Sequence, residues 1–240
     1  MMIKQYYMII VAFVTFLFAQ EECVDGRYLD NIFDINIETN IQYGENVNET
    51  ILGSSYNHEL FMDIYYPEND IVEERPIIFF MFGGSFVGGS KSSGDIVALC
   101  TNYAKMGYVA VAIDYRLSQH LLLFNPNEEN AYRAVLKAIH DLKAAIRYFR
   151  MNYENNNDYR IDPSRIYAGG VSAGAIAAVN AAYLNNLDEV PSFLLNDIND
   201  IGGLEGLSGN DGFDSNFYGI VNLCGAVGDQ EWIVEDDIPV

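Results

Sequence analysis

Hydrophobic residues follow two alternating patterns along most of the chain. Short apolar runs alternate with longer stretches in which apolar residues recur every three or four positions. The first pattern is typical of β-strands and the second of amphipathic helices. Strands separated by helices of this length predict βαβ units around a mostly parallel sheet, so the predicted fold class is α/β, with helices on both faces of the sheet.

Five segments have the pattern of strands. In the first, Leu60, Met62 and Ile64 fall on one face, which indicates a half-buried strand that ends at Pro67. The other four are apolar on both faces, as strands covered by helices on both sides must be. The five predicted strands cover residues 58–65, 77–82, 108–113, 165–168 and 219–223.

Three segments have helical periodicity. Within residues 129–153, apolar side chains recur at alternating steps of four and three, and charged residues occupy the other face. Further helices are predicted over residues 95–106 and 173–187. The pattern breaks over residues 185–218, where Asn, Asp and Gly are frequent. Because loops of this length are usually functional or mobile, we interpret it as a lid or pocket wall.

The first 57 residues are predicted to form two segments that precede the main domain. Lys4 is the only charge before an apolar run over residues 8–18, which is shorter than the roughly 20 residues that span a bilayer. This predicts a signal peptide, residues 1–19, cleaved after Ala19, and a secreted, periplasmic or extracellular protein with no stable membrane anchor. Residues 20–57 are interpreted as an N-terminal arm with one or two edge strands, and residues 58–240 as one domain.

The composition narrows the classes of protein and of partner. The chain has 240 residues, and 50% of them are hydrophobic, so it can bury a core without disulfides or a metal. It has 34 acidic and 13 basic residues and a formal net charge of −21. Such a charge repels a phosphate backbone, which argues against nucleic acid as a partner.

The three cysteines allow one disulfide bridge if the protein is exported to an oxidising compartment. Cys224 ends an apolar run that we assign to a central strand, where a buried thiol acts as a small hydrophobic group. Cys23 and Cys100 are then the expected pair. The alternative, three free thiols, stays open.

The strongest chemical signal is the pentapeptide from Gly170 to Gly174, which places Ser172 between a predicted strand and a predicted helix. A G-x-S-x-G sequence in this context describes a nucleophile elbow, in which the serine backbone is strained and its hydroxyl stands above the sheet. Gly170 and Gly174 let the strand and the helix approach without a side-chain collision. The helix N-terminus also favours negative charge developing on a substrate.

An acyl-transfer reaction also needs donors for the oxyanion. One is expected to be the N–H of Ala173, the residue after the nucleophile. The others are expected in the loop after an earlier strand, and Gly83, Gly84 and Ser85 follow the buried run that ends at Phe82. A glycine pair at this position lets backbone amides point into a cavity.

With these motifs the sequence resembles the α/β-hydrolase carboxylesterases and lipases. The resemblance rests on residues 82–86 (FGGSF), 112–117 (AIDYRL) and 161–166 (IDPSRI), which precede the serine elbow in the family's order and lie within the matching stretch, residues 58–184. It is similar to the type B carboxylesterases and to the bacterial esterase branch with a His-Gly-Gly-Gly loop. The resemblance implies an eight-stranded hydrolase sheet and ester hydrolysis through an acyl-enzyme.

This sequence departs from that pattern in two places. Phe82-Gly83-Gly84-Ser85 replaces the His-Gly-Gly-Gly loop, and type B relatives accept an aromatic residue at the first position. By this match Gly84, Ser85 and Ala173 supply the oxyanion amides and Gly83 serves the bend.

The second departure concerns the partners of the serine, which follow the nucleophile in this fold as an acid and then a histidine. No histidine occurs after His140, which we interpret as an exposed or capped helix residue, and Arg116 is expected in a structural ion pair. Residues 238–240 are expected to begin the next strand, so we expect the chain to stop before the usual acid and histidine.

The sequence therefore predicts a secreted serine hydrolase that cleaves small-molecule carboxylic esters through an acyl-serine intermediate, with no cofactor and no metal. One alternative is a serine peptidase of the same fold. Another is a non-catalytic binding or adhesion protein on an esterase scaffold.

Overall fold

The computed structural model describes residues 26–195, 198–233 and 238–239. Six strands form one sheet in the order β1-β2-β4-β3-β5-β6. The strands are β1 (Ile35–Glu49), β2 (Ser55–Pro67), β3 (Arg75–Met81), β4 (Val109–Ile113), β5 (Ile161–Val171) and β6 (Ile220–Leu223). The helices are α1 (Gly94–Met106), α2 (Gln119–Phe124), α3 (Glu128–Asn155) and α4 (Ala173–Tyr183). Two short 3₁₀ turns follow at Leu187–Glu189 and Gln230–Trp232.

The sheet is mixed, with its parallel part at the centre. β1 and β2 form an antiparallel hairpin, and β2 pairs with β4 antiparallel. β4, β3, β5 and β6 are parallel to one another. The carboxyl ends of β3 and β5 therefore lie at the same edge of the sheet, which brings the loops after Met81 and Val171 together. Ligands bind at this edge in open α/β sheets.

The core lies on both faces of the central strands. Every residue of β3 and of β4 is buried, as expected for strands covered by helices on both sides. Phe79 of β3 meets Phe149 of α3 edge to face, with ring centroids 5.5 Å apart. The continuous apolar runs of these strands thus became the most buried part of the molecule.

The five predicted strands and the three predicted helices are present, with differences at their ends. The helix predicted over residues 173–187 ends at Tyr183. The edge strand expected in the N-terminal arm is β1, which has 15 residues and belongs to the same sheet. The short helix α2 was not predicted.

The prediction that Cys224 is a buried thiol of a central strand is wrong. β6 ends at Leu223, and Cys224 is exposed with a φ of 69°. The chain turns away from the sheet here, because the side chain of Asn222 accepts a hydrogen bond from the N–H of Gly225 (2.7 Å). Residues 1–19 and Cys23 lie outside the described residues, so the signal peptide and the Cys23–Cys100 bridge stay predictions. Cys100 is buried in α1, and burial raises the pKa of its thiol.

None of the described helices is long and apolar enough to cross a membrane.

The ion pair expected for Arg116 is confirmed. Its side chain pairs with Asp141 of α3 (2.9 Å), and its own backbone N–H donates to the same carboxylate (2.8 Å). Ser208, from the long loop after α4, donates to Asp141 as well (2.7 Å). All three residues are buried, so the network fixes the loop against α3.

The expectation of an exposed or capped His140 is wrong. The residue is only 2% exposed, because the loop after α4 covers it. Its Nε2 donates to the carbonyl of Gly203 (2.9 Å), and Gly206 lies against the ring. Burial and the neighbouring Arg116 lower the pKa of His140 to about 4.

Candidate active site

Ser172 occupies a strained turn between β5 and α4. Its φ and ψ are 52° and −113°, a combination that a residue with a side chain rarely adopts. Its N–H donates to the carbonyl of Leu223 (2.8 Å), which ties the turn to the end of β6. The residue is exposed, so its hydroxyl is accessible to a small molecule.

The glycines on each side of Ser172 are required by the closeness of β3. A Cβ at Gly174 would lie 2.2 Å from the carbonyl oxygen of Met81, and a Cβ at Gly170 would lie 2.7 Å from the same atom. Real Cβ atoms do not come this close to backbone, so a side chain at either position would force the strand and the helix apart. The elbow thus depends on glycine for its packing.

The loop after β3 lies directly beside the turn that contains Ser172. A Cβ at Gly83 would lie 3.3 Å from the Cβ of Ser172. Gly84 has a φ of 130°, and a Cβ there would lie 2.0 Å from the carbonyl oxygen of Gly88. Ser85 follows with a φ of 54° and is exposed. Phe86 also has a positive φ (60°), so three successive residues with positive φ turn the chain sharply next to Ser172.

Three backbone amides in this region are unused. Among the described residues, the N–H groups of Gly84, Ser85 and Ala173 donate no hydrogen bond to another residue. Ala173 is the first residue of α4, where the helix has no internal acceptor for its N–H. These amides are therefore available to an acceptor on a ligand.

Side chains outside the predicted site hold the loop in place. The hydroxyl of Tyr115 donates to the carbonyl of Phe82 (2.8 Å), and the two rings stack with centroids 4.2 Å apart. Burial raises the pKa of Tyr115, so its hydroxyl stays a donor. The N–H of Ser118 donates to the carbonyl of Phe86 (2.7 Å). Tyr115 belongs to the AIDYRL segment, which is the only sequence signal that could have found it.

A buried lysine anchors the far end of the same loop. Lys91 pairs with Asp63 of β2 (2.9 Å), and its N–H donates to the carboxylate of Asp114 (2.7 Å). Burial raises the pKa of Asp114, while the neighbouring Lys91 opposes the rise. The loop is therefore fixed to the sheet at both of its ends.

A cavity of about 450 Å³ opens at Ser172. Ser85, Ser172 and Ala173 form its candidate catalytic end, and side chains from α2, α3, α4 and the segment 226–232 form its walls. No described residue of the loop over 185–218, which was expected to form a lid or wall, lines this cavity. That loop packs on α3 instead, where Ser208 and Gly203 make the contacts described above.

The BD-FAE family model matches residues 62–206, more than half of the chain. The chain belongs to the BD-FAE family. The matched stretch contains the loop after β3, the buried Arg116–Asp141 pair and the Ser172 elbow. The family assignment thus covers the site described so far except the end of β6 at Leu223 and the segment 226–232.

Curated relatives of this BD-FAE chain include proteins named as esterases. Gut esterase 1 of Caenorhabditis elegans is 29% identical over 124 residues, which are 51% of this chain and 21% of that protein. Carboxylesterase patB of Penicillium expansum is 26% identical over 128 residues, 48% of this chain and 22% of that protein. The match therefore spans about a fifth of the length of these relatives.

Solved structures of similar fold are esterases as well. A truncated form of a carbohydrate esterase from gut microbiota has a TM-score of 0.56 at 23% identity and covers 84% of this chain and 60% of that one. Thermogutta terrifontis esterase 2, phosphonylated by cyclosarin, has a TM-score of 0.54 at 22% identity and covers 79% and 56%. These likenesses confirm the predicted α/β-hydrolase fold of the BD-FAE chain.

The three histidines of this BD-FAE chain lie outside the lining of the cavity at Ser172. His58 lines a second cavity and accepts or donates a hydrogen bond with the hydroxyl of Tyr56 (2.9 Å). His120 lies beside the carbonyl of Ile51, and His140 is buried under the loop after α4. None of the three is among the described residues that line the cavity at Ser172.

Proposed function

We propose that the protein hydrolyses carboxylic esters of small molecules through an acyl-serine intermediate, with Ser172 as the nucleophile. The observation that carries the proposal is the strained, exposed Ser172 beside three unused backbone amides at the mouth of a cavity. A strained serine backbone costs stability, and such strain persists in proteins mainly where function needs it. A binding module on the same scaffold has no need for it.

The reaction follows from this geometry in two steps. The Ser172 oxygen attacks the ester carbonyl and loses its proton to a general base; the tetrahedral intermediate then expels the alcohol and leaves an acyl-serine ester. Water attacks that ester in the same way, which releases the acid and returns the proton to Ser172. The atoms of one ester and one water balance those of one acid and one alcohol.

The unused amides would stabilise the charge that develops on the carbonyl oxygen. Gly84, Ser85 and Ala173 are assigned as the oxyanion donors, and Gly83 is the residue that lets the loop approach Ser172. Preorganised donors of this kind are worth about 10²- to 10³-fold in rate for a single donor. Because these donors are backbone groups, the replacement of the family's loop histidine by Phe82 leaves them intact.

The general base is assigned to none of the three histidines considered above. His58 and His120 line no part of the cavity at Ser172, and protonation of His140 is opposed by its burial. The assignment of Ser172 does not depend on these residues. We therefore expect activity to survive a His58→Gln or a His120→Gln substitution.

Family membership and the named relatives support esters as the substrate class. The relatives' names include an esterase and a carboxylesterase, and the solved neighbours are esterases. We further propose that the protein is exported, because residues 1–19 combine one early cation with an apolar run and a small residue at its end. A mature N-terminus at Gln20 in the secreted protein supports export; an intact Met1 in that fraction contradicts the cleavage.

The direct test is hydrolysis of p-nitrophenyl acetate by the protein expressed from its complete gene. Ser172→Ala should lower kcat by several orders of magnitude and leave the melting temperature nearly unchanged, because only the nucleophile is lost. Ser55→Ala is the matched control, since Ser55 is exposed at the start of β2 and outside that cavity. Equal activity of the two variants refutes the nucleophile. Hydrolysis of peptides but not of esters would instead support the alternative of a serine peptidase.

A further inference from the structure

The cavity at Ser172 presents an apolar surface over most of its length. Beyond its catalytic end the walls are formed mainly by aliphatic and aromatic side chains, including Leu122, Val135, Leu136, Ile176, Leu184 and Trp232. Three of these six side chains are buried: Leu136 is 3% exposed, Leu184 6% and Trp232 7%. Such walls favour an apolar group, because they offer a polar one no compensation for its lost hydration.

The buried polar side chain in this lining is already satisfied. Asn180 donates to the carbonyls of Ile176 (2.7 Å) and Ala226 (2.9 Å), and its Oδ1 accepts from the N–H of Gly228 (2.8 Å). The amide therefore joins α4 to the segment 226–228 and is not held ready for a ligand. Asn180 therefore offers no free hydrogen-bonding group to a sugar or a charged group.

The dimensions of the cavity match a chain of moderate length. One wall follows α4 from Ala173, next to the nucleophile, to Leu184, just past its end; a helix of 11 residues is about 16 Å long. A volume of about 450 Å³ holds about fifteen non-hydrogen atoms, if each needs about the 30 Å³ of a water molecule. An eight-carbon acyl group has nine non-hydrogen atoms and fits within both limits, and the remaining volume at the end near Ser172 is left for the alcohol or the attacking water.

We propose that this cavity holds the acyl chain of the substrate and that the enzyme prefers unbranched acyl groups of about eight carbons. The inference rests on the proposed function, because the chain must be joined to Ser172. The acyl group is favoured over the alcohol because it remains attached to the serine after the alcohol leaves. Contacts with the apolar walls can hold such a group through the whole cycle, whereas a leaving group needs a way out.

A substrate series tests the proposal. With p-nitrophenol as the constant leaving group, kcat/KM should rise up to about fourfold per added methylene from acetate to octanoate, the value for full burial of each group, and level off or fall beyond it. With acetate as the constant acyl group, lengthening the alcohol should have little effect. A flat or falling acyl series, or a rise with the alcohol instead, overturns the acyl site while the hydrolysis itself upholds the proposed function.

A pair of substitutions links the preference to this cavity. Ala131 lies on α3, is exposed and lines the cavity, so Ala131→Trp should fill part of it without disturbing the core. We expect kcat/KM for p-nitrophenyl octanoate to fall at least about tenfold more than kcat/KM for p-nitrophenyl acetate. The control is Ala98→Trp, because Ala98 is exposed on α1 and is not part of the described lining. Equal losses on both esters, or in both variants, contradict the proposal.

Trp232 gives a readout that needs no catalysis. It is the one tryptophan of the sequence and lines the cavity, so its fluorescence should change when the cavity is occupied. In the Ser172→Ala variant, octanoate should change this signal with an affinity at least about a hundredfold above that of acetate. Trp232→Phe identifies the source of the signal. Equal affinities for octanoate and acetate refute the apolar acyl site, whether or not the protein hydrolyses esters. The absence of ester hydrolysis, measured separately, refutes the proposed function.

Discussion

Acidification should destabilise this protein through His140. The imidazole is almost fully buried, and its Nε2 donates to the carbonyl of Gly203 (2.9 Å). A Cβ at Gly206 would lie 2.2 Å from the Cγ of the ring, so the loop backbone lies directly against it. Burial and the nearby Arg116 and Lys143 lower the pKa of His140 to about 4 from an ordinary 6.5, while Asp141 and the bond to Gly203 oppose the shift.

The size and the sign of the effect follow from these two pKa values. The unfolded chain takes up a proton near pH 6.5, whereas the folded protein resists it until about pH 4. The contribution of the neutral ring is therefore fully present above pH 6.5 and is lost as the pH falls toward 4. The pKa difference of about 2.5 corresponds to about 3 kcal/mol in total, of which about 2 kcal/mol are lost by pH 5. Domains have total stabilities of about 5–15 kcal/mol, so the loss is measurable.

Urea unfolding at pH 7, 6, 5 and 4.5 measures this loss against a His140→Gln variant. A glutamine amide can still donate to the carbonyl of Gly203 but does not titrate in this range. Carboxylates titrate alike in both proteins, so they cancel in the difference between the two free energies of unfolding. We expect the wild type to lose about 2 kcal/mol more than the variant between pH 7 and pH 5. Parallel pH dependence of the two proteins would refute the buried, neutral state of His140.

Two further predictions concern the elbow and the thiols. Gly174→Ala should cost about 3 kcal/mol and lower the melting temperature, because its Cβ would meet the carbonyl of Met81, whereas Gly94→Ala, with no atom within 4 Å of a new Cβ, should be neutral. Equal melting temperatures contradict the packing argument. Ellman's reagent should react with Cys224 of the native protein, which is exposed, and should not react with the buried Cys100 of the native protein. Peptide mapping that finds the label on native Cys100, or none on Cys224, contradicts this assignment.

The elbow and the loop after β3 could be predicted from the sequence because their requirements are local. A Cβ at Gly170 or Gly174 would lie too close to the carbonyl of Met81, so only glycine fits at these two positions, and the pair marks the position of Ser172 directly. The buried strands are similarly local, since an unbroken apolar run is visible in the sequence. Each of these signals is contained within a few consecutive residues.

Other features depend on distant residues or lack a pattern. β1 shows only patchy alternation because its pairing with β2 shifts register twice, between Glu38 and Ile41 and between Gln42 and Gly44, and each shift interrupts the two-residue period. The helix α2 has no buried residue, so it lacks the buried apolar face that gives an amphipathic helix its three- to four-residue period. The burial of His140 comes from residues more than sixty positions later in the chain. No periodicity within one segment can report such contacts.

The most direct test of the account is labelling with a fluorophosphonate, which forms a covalent bond to an activated serine. The protein expressed from its complete gene is treated with the reagent and digested, and the modified peptide is identified by mass spectrometry. The account predicts one modified residue, Ser172, in parallel with loss of ester hydrolysis, and no labelling of Ser172→Ala. Full ester hydrolysis by Ser172→Ala, or inactivation through a label on a different residue, would contradict the assignment of Ser172 as the nucleophile.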